Sequence, residues 1–180
     1  MTKMTIARRY AKALLITAKK EKRIQEINDE LASLSVLMNQ VKAFWEVINN
    51  PLYDLDRRQK VLEEVARVTG MSPVVVGLLR LLLVRNRTRY LPLIVSAYQE
   101  MADEALGRIR ARVFSAVELT KEEKEKIRKK LSKSTGKEVI LETIQDRSLI
   151  GGVVAKVKGL VLDGSLRTQL TRIRESLARG

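Results

Sequence analysis

The spacing of apolar residues changes near residue 106, and this change constrains the fold more than any other feature of the sequence. Before it, apolar residues recur every three or four positions, as on one face of an α-helix. After it, Ile109, Ala111 and Val113 alternate with arginines, which is the period of a β-strand. We therefore predict an α+β fold, with a helical domain at residues 1–106 and a small α/β domain at residues 107–180.

Six helices are predicted in the first domain, joined by short breaks. Thr5 is the predicted cap of the first helix, and the Asn-Asn-Pro sequence at 49–51 interrupts the pattern. Gly70 is a stop signal, and Ser72 followed by proline is a start signal. The stretch Val74–Val84 is apolar almost all round, so we expect it at the centre. Short connections between such helices predict an antiparallel six-helix bundle.

The second domain is predicted to have the order β-α-β-β-β-α. Thr120 and Glu123 have the spacing of a capping box and open a charged helix. After the first strand, strands are predicted over residues 138–144, 152–157 and 160–162. Lys158 and Gly159 predict a tight turn between the last two of these. The final helix has apolar residues on one stripe: Leu166, Leu170, Ile173 and Leu177.

The residue types present argue against an enzyme. The chain contains no histidine and no cysteine, which excludes His- or Cys-ligated zinc, cysteine nucleophiles and Ser-His-Asp relays. Neither of the common glycine-rich phosphate-binding motifs is present. The carboxylates, lysines and tyrosines show no converging pattern. We therefore expect no catalytic residue, no metal and no cofactor.

Two glycine motifs have structural interpretations. Gly151 and Gly152 predict close backbone packing or a bulge at the start of a strand, with a nucleotide-binding loop as the alternative. Asp163 and Gly164 predict a turn before the last helix, because aspartate bonds its own backbone while glycine supplies a positive φ. The alternative for Asp163 is a metal ligand or a general base.

The charge of the chain leaves nucleic-acid binding as an alternative function. The net charge is +14, and 18 basic and 9 acidic side chains follow residue 105. Arg108, Arg110 and Arg112 share one face of the predicted first strand, which is typical of a phosphate-binding surface. Readers of single-stranded RNA also stack bases on aromatic side chains, yet Phe114 is the one aromatic residue after residue 105. An acidic protein or an anionic membrane could equally attract this charge.

A protein-interaction module is the third interpretation. Grooves between the helices of a small bundle can receive an amphipathic helix from a partner. The first helix contains several small residues that would permit a close approach: Ala7, Ala11, Ala13 and Ala18. The same alanines are also expected where helices of one bundle pack closely against each other.

Two segments resemble a known family. The sequence IARRYAKAL at residues 6–14 and the sequence DRSLIGGVVAKVKGLVLDGSLRTQL at residues 146–170 resemble the delta subunit of F-type ATP synthases. The mitochondrial counterpart of that subunit is the oligomycin sensitivity-conferring protein. The resemblance covers the whole chain, and includes LLLVRNRTRYLPLI at 81–94 and ARVFSAVEL at 111–119.

The resemblance implies a non-catalytic stator subunit. Such a subunit links the catalytic head to the peripheral stalk and resists rotor torque during proton-driven ATP synthesis. In the family, the first and fifth helices receive the N-terminal helix of the alpha subunit, and the second domain engages the b subunits of the stalk. The corresponding residues of this chain for binding the alpha helix are Tyr10, Ala13, Leu14, Leu78 and Leu81.

The resemblance also implies a location and excludes some partners. It places the protein at the cytoplasmic face of the cell membrane, as part of the ATP synthase complex. No run of apolar residues is long enough to span a bilayer, so membrane contact is expected to be indirect, through the complex. No nucleic-acid partner is expected.

Overall fold

A computed structural model describes residues 2–146, 148–157, 160–170 and 174 of the chain. The chain divides into two compact units, residues 1–102 and 103–180. The predicted α+β class, with a helix-rich N-terminal part followed by a small sheet, is confirmed. The predicted turn at Lys158–Gly159, and Ile173 and Leu177 of the predicted last helix, lie outside the described residues.

The first unit is built from helices that share one hydrophobic core. They are α1 (Lys3–Lys20), α2 (Ile24–Gln40), α3 (Lys42–Asn49), α4 (Leu55–Thr69), α5 (Pro73–Val84) and α6 (Leu91–Ala105), with a 3₁₀ turn at Thr88–Tyr90 before α6. All six α-helices contribute buried side chains to that core. Their antiparallel arrangement as a bundle stays a prediction.

Local sequence signals explain where these helices begin and end. The Ser72 hydroxyl accepts a hydrogen bond from the Val75 N–H at 3.5 Å, with proline at the first helical position of α5. Gly70 ends α4 in the left-handed conformation, with φ of 66°. The predicted cap of α1 is wrong, because Thr2 rather than Thr5 takes this role. The Thr2 hydroxyl accepts the Thr5 N–H at 3.3 Å, so the helix begins one turn earlier.

Buried apolar residues of α5 and α6 contribute to the core of the first unit. One face of α5 is buried: Val75, Leu78, Leu79, Leu82 and Leu83. Tyr98 on α6 is fully buried, and its hydroxyl donates to the carbonyl of Ile24 at 3.1 Å. This burial raises the pKa of Tyr98 to about 12, because the low-polarity surroundings disfavour the phenolate.

In the part that the structure describes, the second unit contains a four-stranded mixed sheet and one long helix. Its elements are β1 (Arg108–Ser115), α7 (Lys121–Thr135), β2 (Glu138–Gln145), β3 (Gly152–Val157) and β4 (Leu160–Ser165), followed by helical residues 166–170. The strands lie in the order β2-β1-β3-β4. Strand β1 is parallel to β2 and antiparallel to β3, and α7 is the crossover that a parallel pair requires.

The predicted capping box of α7 is confirmed. The Thr120 N–H donates to the Glu123 carboxylate at 2.8 Å, and the Glu123 N–H donates to the Thr120 hydroxyl at 3.3 Å. The hydrogen bonds from Thr120 lower the pKa of Glu123. Gly136 ends the helix with φ of 66°.

A small apolar core lies between α7 and one face of the sheet. Alternate residues of β1, Ala111, Val113 and Ser115, are buried, as the period of two predicts. They share this core with Leu131 of α7 and with residues of β2 and β3. The opposite face of β1 carries the arginines. The alternation along β1 therefore gives the sheet one apolar face, which packs on α7, and one positively charged face.

Candidate protein-docking site

Helix α1 buries one face and leaves a mixed edge beside it. Ala7, Ala11 and Ala18 are fully buried, so these three alanines serve close packing within the unit itself. Ala13 is exposed and Tyr10 is half-buried. The edge that contains these two residues is the part of α1 that a second chain could contact.

Helix α5 leaves part of its apolar surface uncovered. The side chains of Leu81 and Val84 are 46% and 52% exposed, although the neighbouring Leu82 and Leu83 are buried. A helix that is apolar almost all round but buried on one side only exposes its remaining apolar rows to water. This uncovered row, Leu81 with Val84, we call the α5 edge.

The predicted docking residues divide between surface and core. Helices α1 and α5 are neighbours within the first unit. Ala13 and Leu81 are exposed and Tyr10 is half-buried, whereas Leu14 and Leu78 are only 5% and 8% exposed. Leu14 and Leu78 therefore contribute mainly to the core of the unit, and a docked chain could reach no more than their outer atoms.

Sequence reasoning did not identify Val84 as part of this surface. The sequence did contain a signal, because Arg80 is the one charged residue of α5 and Val84 follows it by one helical turn on the same face. How far that face is left uncovered depends on which helices surround α5.

Arg87 holds Tyr10 at this surface. Its guanidinium donates to the Tyr10 hydroxyl at 3.0 Å and lies 6.0 Å from the centre of the ring. Because Arg87 follows α5, this contact ties the C-terminal end of α5 to the middle of α1. The aromatic ring is therefore fixed before any partner arrives, which lowers the entropy cost of docking.

The arginines of β1 are already paired with carboxylates. Arg108 contacts Glu138 at 3.1 Å, and Arg112 contacts Glu142 at 3.6 Å. The register of the sheet produces these pairs, because Glu138 and Glu142 on β2 lie directly opposite Arg108 and Arg112.

Arg110 completes this ladder of ion pairs. It contacts Glu142 at 3.0 Å and also the buried Asp103. A phosphate would have to displace these carboxylates to use the arginine face. The geometry therefore gives no support to a nucleic-acid surface on β1.

The two glycine motifs pack against each other. Gly152 has φ of +79°, and a Cβ at this position would lie 2.4 Å from the carbonyl oxygen of Gly164. The turn predicted at Asp163–Gly164 is wrong, because both residues lie inside β4, where Gly164 pairs with Val153. The predicted bond of Asp163 to its own backbone is confirmed. The glycine with a positive φ is Gly152. Because it has no Cβ, its backbone can lie close to the backbone of Gly164 on β4.

Asp163 stabilises the start of the helical residues 166–170. Its carboxylate accepts the Ser165 N–H at 2.9 Å and the Thr168 hydroxyl at 2.8 Å. The Thr168 N–H in turn donates to the Ser165 hydroxyl at 3.3 Å, in the manner of a helix cap. The carboxylate is therefore engaged in structural hydrogen bonds. Within the described ranges, no three acidic residues are grouped so that they could hold a metal ion.

No helix in the described part of the chain has both the length and the hydropathy of a membrane-spanning segment.

The surfaces of the two units define a class of protein. One unit presents an uncovered apolar edge, and in the other unit the candidate polar groups are engaged in ion pairs or hydrogen bonds. This combination is that of a structural docking protein built from two units.

Comparison with known proteins identifies the family. The model of the ATP synthase delta (OSCP) subunit family matches residues 6–177, and the chain belongs to this family. Its relatives include the ATP synthase subunit delta of Desulfosudis oleivorans, 43% identical over 180 residues, which cover 100% of this chain and 98% of that one. The ATP synthase subunit delta of Desulfatibacillum aliphaticivorans is 44% identical over 179 residues, covering 99% and 98% of the two chains.

A solved structure shares the fold. A chain of the mitochondrial ATP synthase hexamer of Toxoplasma gondii matches with a TM-score of 0.77 and 19% identity, covering 99% of this chain and 98% of that chain. The family establishes the role: the chain is a non-catalytic stator subunit of an ATP synthase. The predicted function and the predicted absence of enzymatic activity are confirmed by this membership.

Proposed function

We propose that the helical domain, residues 1–106, binds the N-terminal helix of the ATP synthase alpha subunit on α1 and α5. The second domain, residues 107–180, engages the b subunits of the peripheral stalk. The subunit thereby links the catalytic head to the stalk at the cytoplasmic face of the cell membrane, and its contact with the membrane is indirect. Tyr10, Ala13 and Leu81 form the surface, with Leu14 and Leu78 beneath it.

The observation that carries this proposal is the uncovered apolar surface of α5. Leu81 and Val84 are both about half exposed, at 46% and 52%, and α1 lies beside α5. An amphipathic helix can lay its apolar face along such an edge, which removes these side chains from water. The small side chain of Ala13 permits the close approach that helix packing requires.

Attachment through both domains suits a stator subunit, because the subunit must stay bound under torque. Once one unit is bound, the other meets its target at an effective concentration on the order of millimolar, which raises the overall strength of attachment. A helix in a groove buries an interface of the standard size, roughly 1,600 Å². Resistance to torque then depends on slow dissociation of the subunit from its partners. The dissociation rate is also the quantity that contacts at an interface change most.

The charge of the second domain supports its assignment to the stalk. Eighteen basic and nine acidic side chains follow residue 105, so the domain has a strong positive field. Such a field steers acidic or dipolar partners during association and contributes less to final affinity.

A peptide titration of the full chain tests the docking surface. The probe is a synthetic peptide with the N-terminal sequence of the alpha subunit from the same genome. We expect Ala13→Asp and Leu81→Asp each to weaken binding at least about tenfold, because each buries a carboxylate against an apolar face. The matched control is Val36→Asp on α2, where an aliphatic side chain is exposed to a similar degree, 52%.

The control separates docking from folding. Circular dichroism of each variant checks that the helices remain, and Val36→Asp should bind the peptide as the wild type does. Unchanged affinity for both Ala13→Asp and Leu81→Asp, with the fold intact, would show that the alpha helix binds elsewhere.

A further inference from the structure

Five arginines lie on two segments that meet at one end of the first unit, next to the docking surface. Two of them begin α4 and three follow α5: Arg57, Arg58, Arg85, Arg87 and Arg89. The two segments are in contact, because the Arg58 guanidinium donates to the Asn86 side-chain oxygen at 3.2 Å. We call these five residues the arginine end.

In the part of the chain that the structure describes, these arginines lack the carboxylate partners that seven other arginines of the protein have. Among the described residues, none of the five lies within 4.0 Å of a carboxylate oxygen. Seven arginines in other parts of the two units do form such pairs: Arg23, Arg67, Arg80, Arg108, Arg110, Arg112 and Arg128. Arg8 and Arg9 of α1 also form no ion pair with any described residue, so the unpaired arginines of the first unit lie at this end and on α1.

Arg58 is the most unusual member of the group. It is only 5% exposed, and its Nε has no hydrogen-bond partner among the residues that the structure describes. A buried guanidinium without a counter-charge is costly unless an anion compensates it. The two nearest acids in sequence, Asp54 and Asp56, are exposed and form no ion pair within the described part of the chain.

Aromatic rings hold two of the exposed arginines in place. The Arg57 guanidinium lies 5.6 Å from the centre of the Tyr53 ring, and that of Arg89 lies 5.1 Å from the centre of the Tyr90 ring. Stacking orients a guanidinium while its N–H groups remain available to a carboxylate. The arginine end therefore presents ordered donors toward solvent.

The arginine end is continuous with the docking surface. Arg85 directly follows Val84 of the α5 edge, and Arg87 donates to Tyr10 of α1 at 3.0 Å. A chain that covers Leu81 and Val84 and continues by one helical turn reaches Arg85.

Helix α1 adds to the positive field along the docking surface. It carries six basic side chains and no acidic one: Lys3, Arg8, Arg9, Lys12, Lys19 and Lys20. The neighbouring wall of the surface is therefore basic along its length.

We propose that the arginine end is a carboxylate-binding site that receives the acidic end of the docked partner segment. This inference rests on the proposed function and adds the chemistry of the partner, an amphipathic acidic helix whose carboxylates lie at the end that reaches Arg85. The apolar edge supplies the contact area, and the arginines determine which way the segment runs. Continuity with the edge favours a polypeptide carboxylate over a free phosphate.

The test uses the full chain and the alpha-subunit peptide, titrated at low and at physiological ionic strength. The variant is the double change Arg85→Gln with Arg89→Gln, since both side chains are exposed and neither supports the core. We expect about tenfold weaker binding and a shallower dependence of the affinity on salt, because charge pairs at an interface rim are screened. The control is Arg67→Gln with Arg128→Gln, which removes the same charge from exposed ion pairs on α4 and α7 and should change affinity less than about twofold.

A second arm uses a peptide in which the acidic residues are replaced by their amides. This peptide should bind the wild type and the Arg85→Gln/Arg89→Gln variant equally, because the interaction that distinguishes them is gone. A variant that binds the acidic peptide like the wild type, with the same salt dependence, would overturn the proposal.

Two further outcomes separate this inference from the function on which it rests. If Leu81→Asp abolishes binding while the arginine variant does not, docking on the edge stands and the carboxylate site is rejected. If the wild type does not bind the peptide at all, both proposals fail. If inorganic phosphate at millimolar concentration binds through Arg85 and Arg89 without affecting the peptide, the site takes free phosphate and the proposal is overturned.

Discussion

The two units use arginine in opposite ways. On β1 of the second unit, Arg108, Arg110 and Arg112 each contact a carboxylate supplied by the fold. At the arginine end of the first unit, the described residues supply no such partner, even to the buried Arg58. Sequence composition alone makes the sheet domain look like the anion-binding half. The pairing shows that the helical unit has the more available arginines.

The units also differ in how they are held together. Among the described residues, the first unit has 22 buried apolar residues in one cluster and the second has seven. A small core leaves a unit more dependent on single close contacts, such as the backbone approach at Gly152 and Gly164. The larger core of the helical unit can leave an apolar edge exposed and still remain folded.

The largest effect is expected from a methyl group at Gly152. The change Gly152→Ala combines a positive φ with a contact of 2.4 Å to the Gly164 carbonyl, so the second unit should lose about 4 kcal/mol. Urea denaturation followed by circular dichroism measures this loss. Gly136→Ala is the matched control, since φ there is +66° but no atom of the described residues lies within 4 Å of the added Cβ.

The control isolates the steric part of the effect. Gly136→Ala should cost roughly 1 kcal/mol from backbone strain alone. Equal losses for the two variants would show that the close approach of Gly152 and Gly164 contributes nothing to the stability of the second unit.

The next effect separates the core of α5 from its exposed edge. Leu82→Ala should lower the free energy of unfolding of the first unit by about 3 kcal/mol, because Leu82 is fully buried. Leu81→Ala should lower it by less than about 1 kcal/mol and weaken binding of the alpha peptide instead. Denaturation and peptide titration on the same two variants measure both quantities. Similar stability losses for the two would contradict the exposure of Leu81.

A third effect depends on pH and is expected in the helical unit alone. The unfolded chain loses the Tyr98 proton near its ordinary pKa, roughly 10, whereas the folded unit keeps it up to about 12. Because the unfolded state then binds fewer protons, stability falls as pH rises through this interval, by about 2 kcal/mol in total. The sheet domain has no tyrosine after residue 105.

Phenylalanine at this position provides the comparison for the pH effect. Tyr98→Phe should be about 1 kcal/mol less stable at neutral pH, because it lacks the hydrogen bond to Ile24. Its unfolding curves between pH 10 and 12 should show a smaller decline than those of the wild type. An identical decline in both proteins would mean that Tyr98 ionises as easily in the folded state as in the unfolded one.

The smallest effect concerns the capping box of the second unit. Thr120→Ala should cost about 1 kcal/mol, because the Glu123 N–H loses its acceptor. Thr120→Ser keeps a hydroxyl in the same place and should retain most of that stability. Thermal unfolding of both variants makes the comparison, and equal destabilisation would show that the hydroxyl is not what stabilises the helix start.

Local signals in the sequence predicted those helix starts that depend only on residues within one turn. The capping box at Thr120 and the Ser72-Pro73 start are each settled within one helical turn, and both are confirmed. The cap of α1 was predicted wrongly, because Thr2, three residues before the predicted Thr5, takes that role. Asp163–Gly164 has the sequence of a turn, but its pairing with β3 keeps both residues in a strand.

The candidate site could be predicted only in part, since it depends on tertiary contacts. Resemblance to a family indicated α1 and α5, but it did not separate the exposed Leu81 from the buried Leu78. The position of Arg80 on the exposed face of α5 was the local signal for this difference. The arginine end was missed because Arg58 and Arg85 lie on segments that are distant in sequence. The contact between Arg58 and Asn86 brings these segments together.

Amide hydrogen exchange on the full chain, with and without the alpha-subunit peptide, tests most directly whether the helical unit reserves an apolar edge for a partner helix. We predict that the peptide slows exchange in α1 and α5, residues 3–20 and 73–84, and leaves the sheet of the second unit unchanged. Protection confined to residues 103–180, or to helices other than α1 and α5, would contradict it.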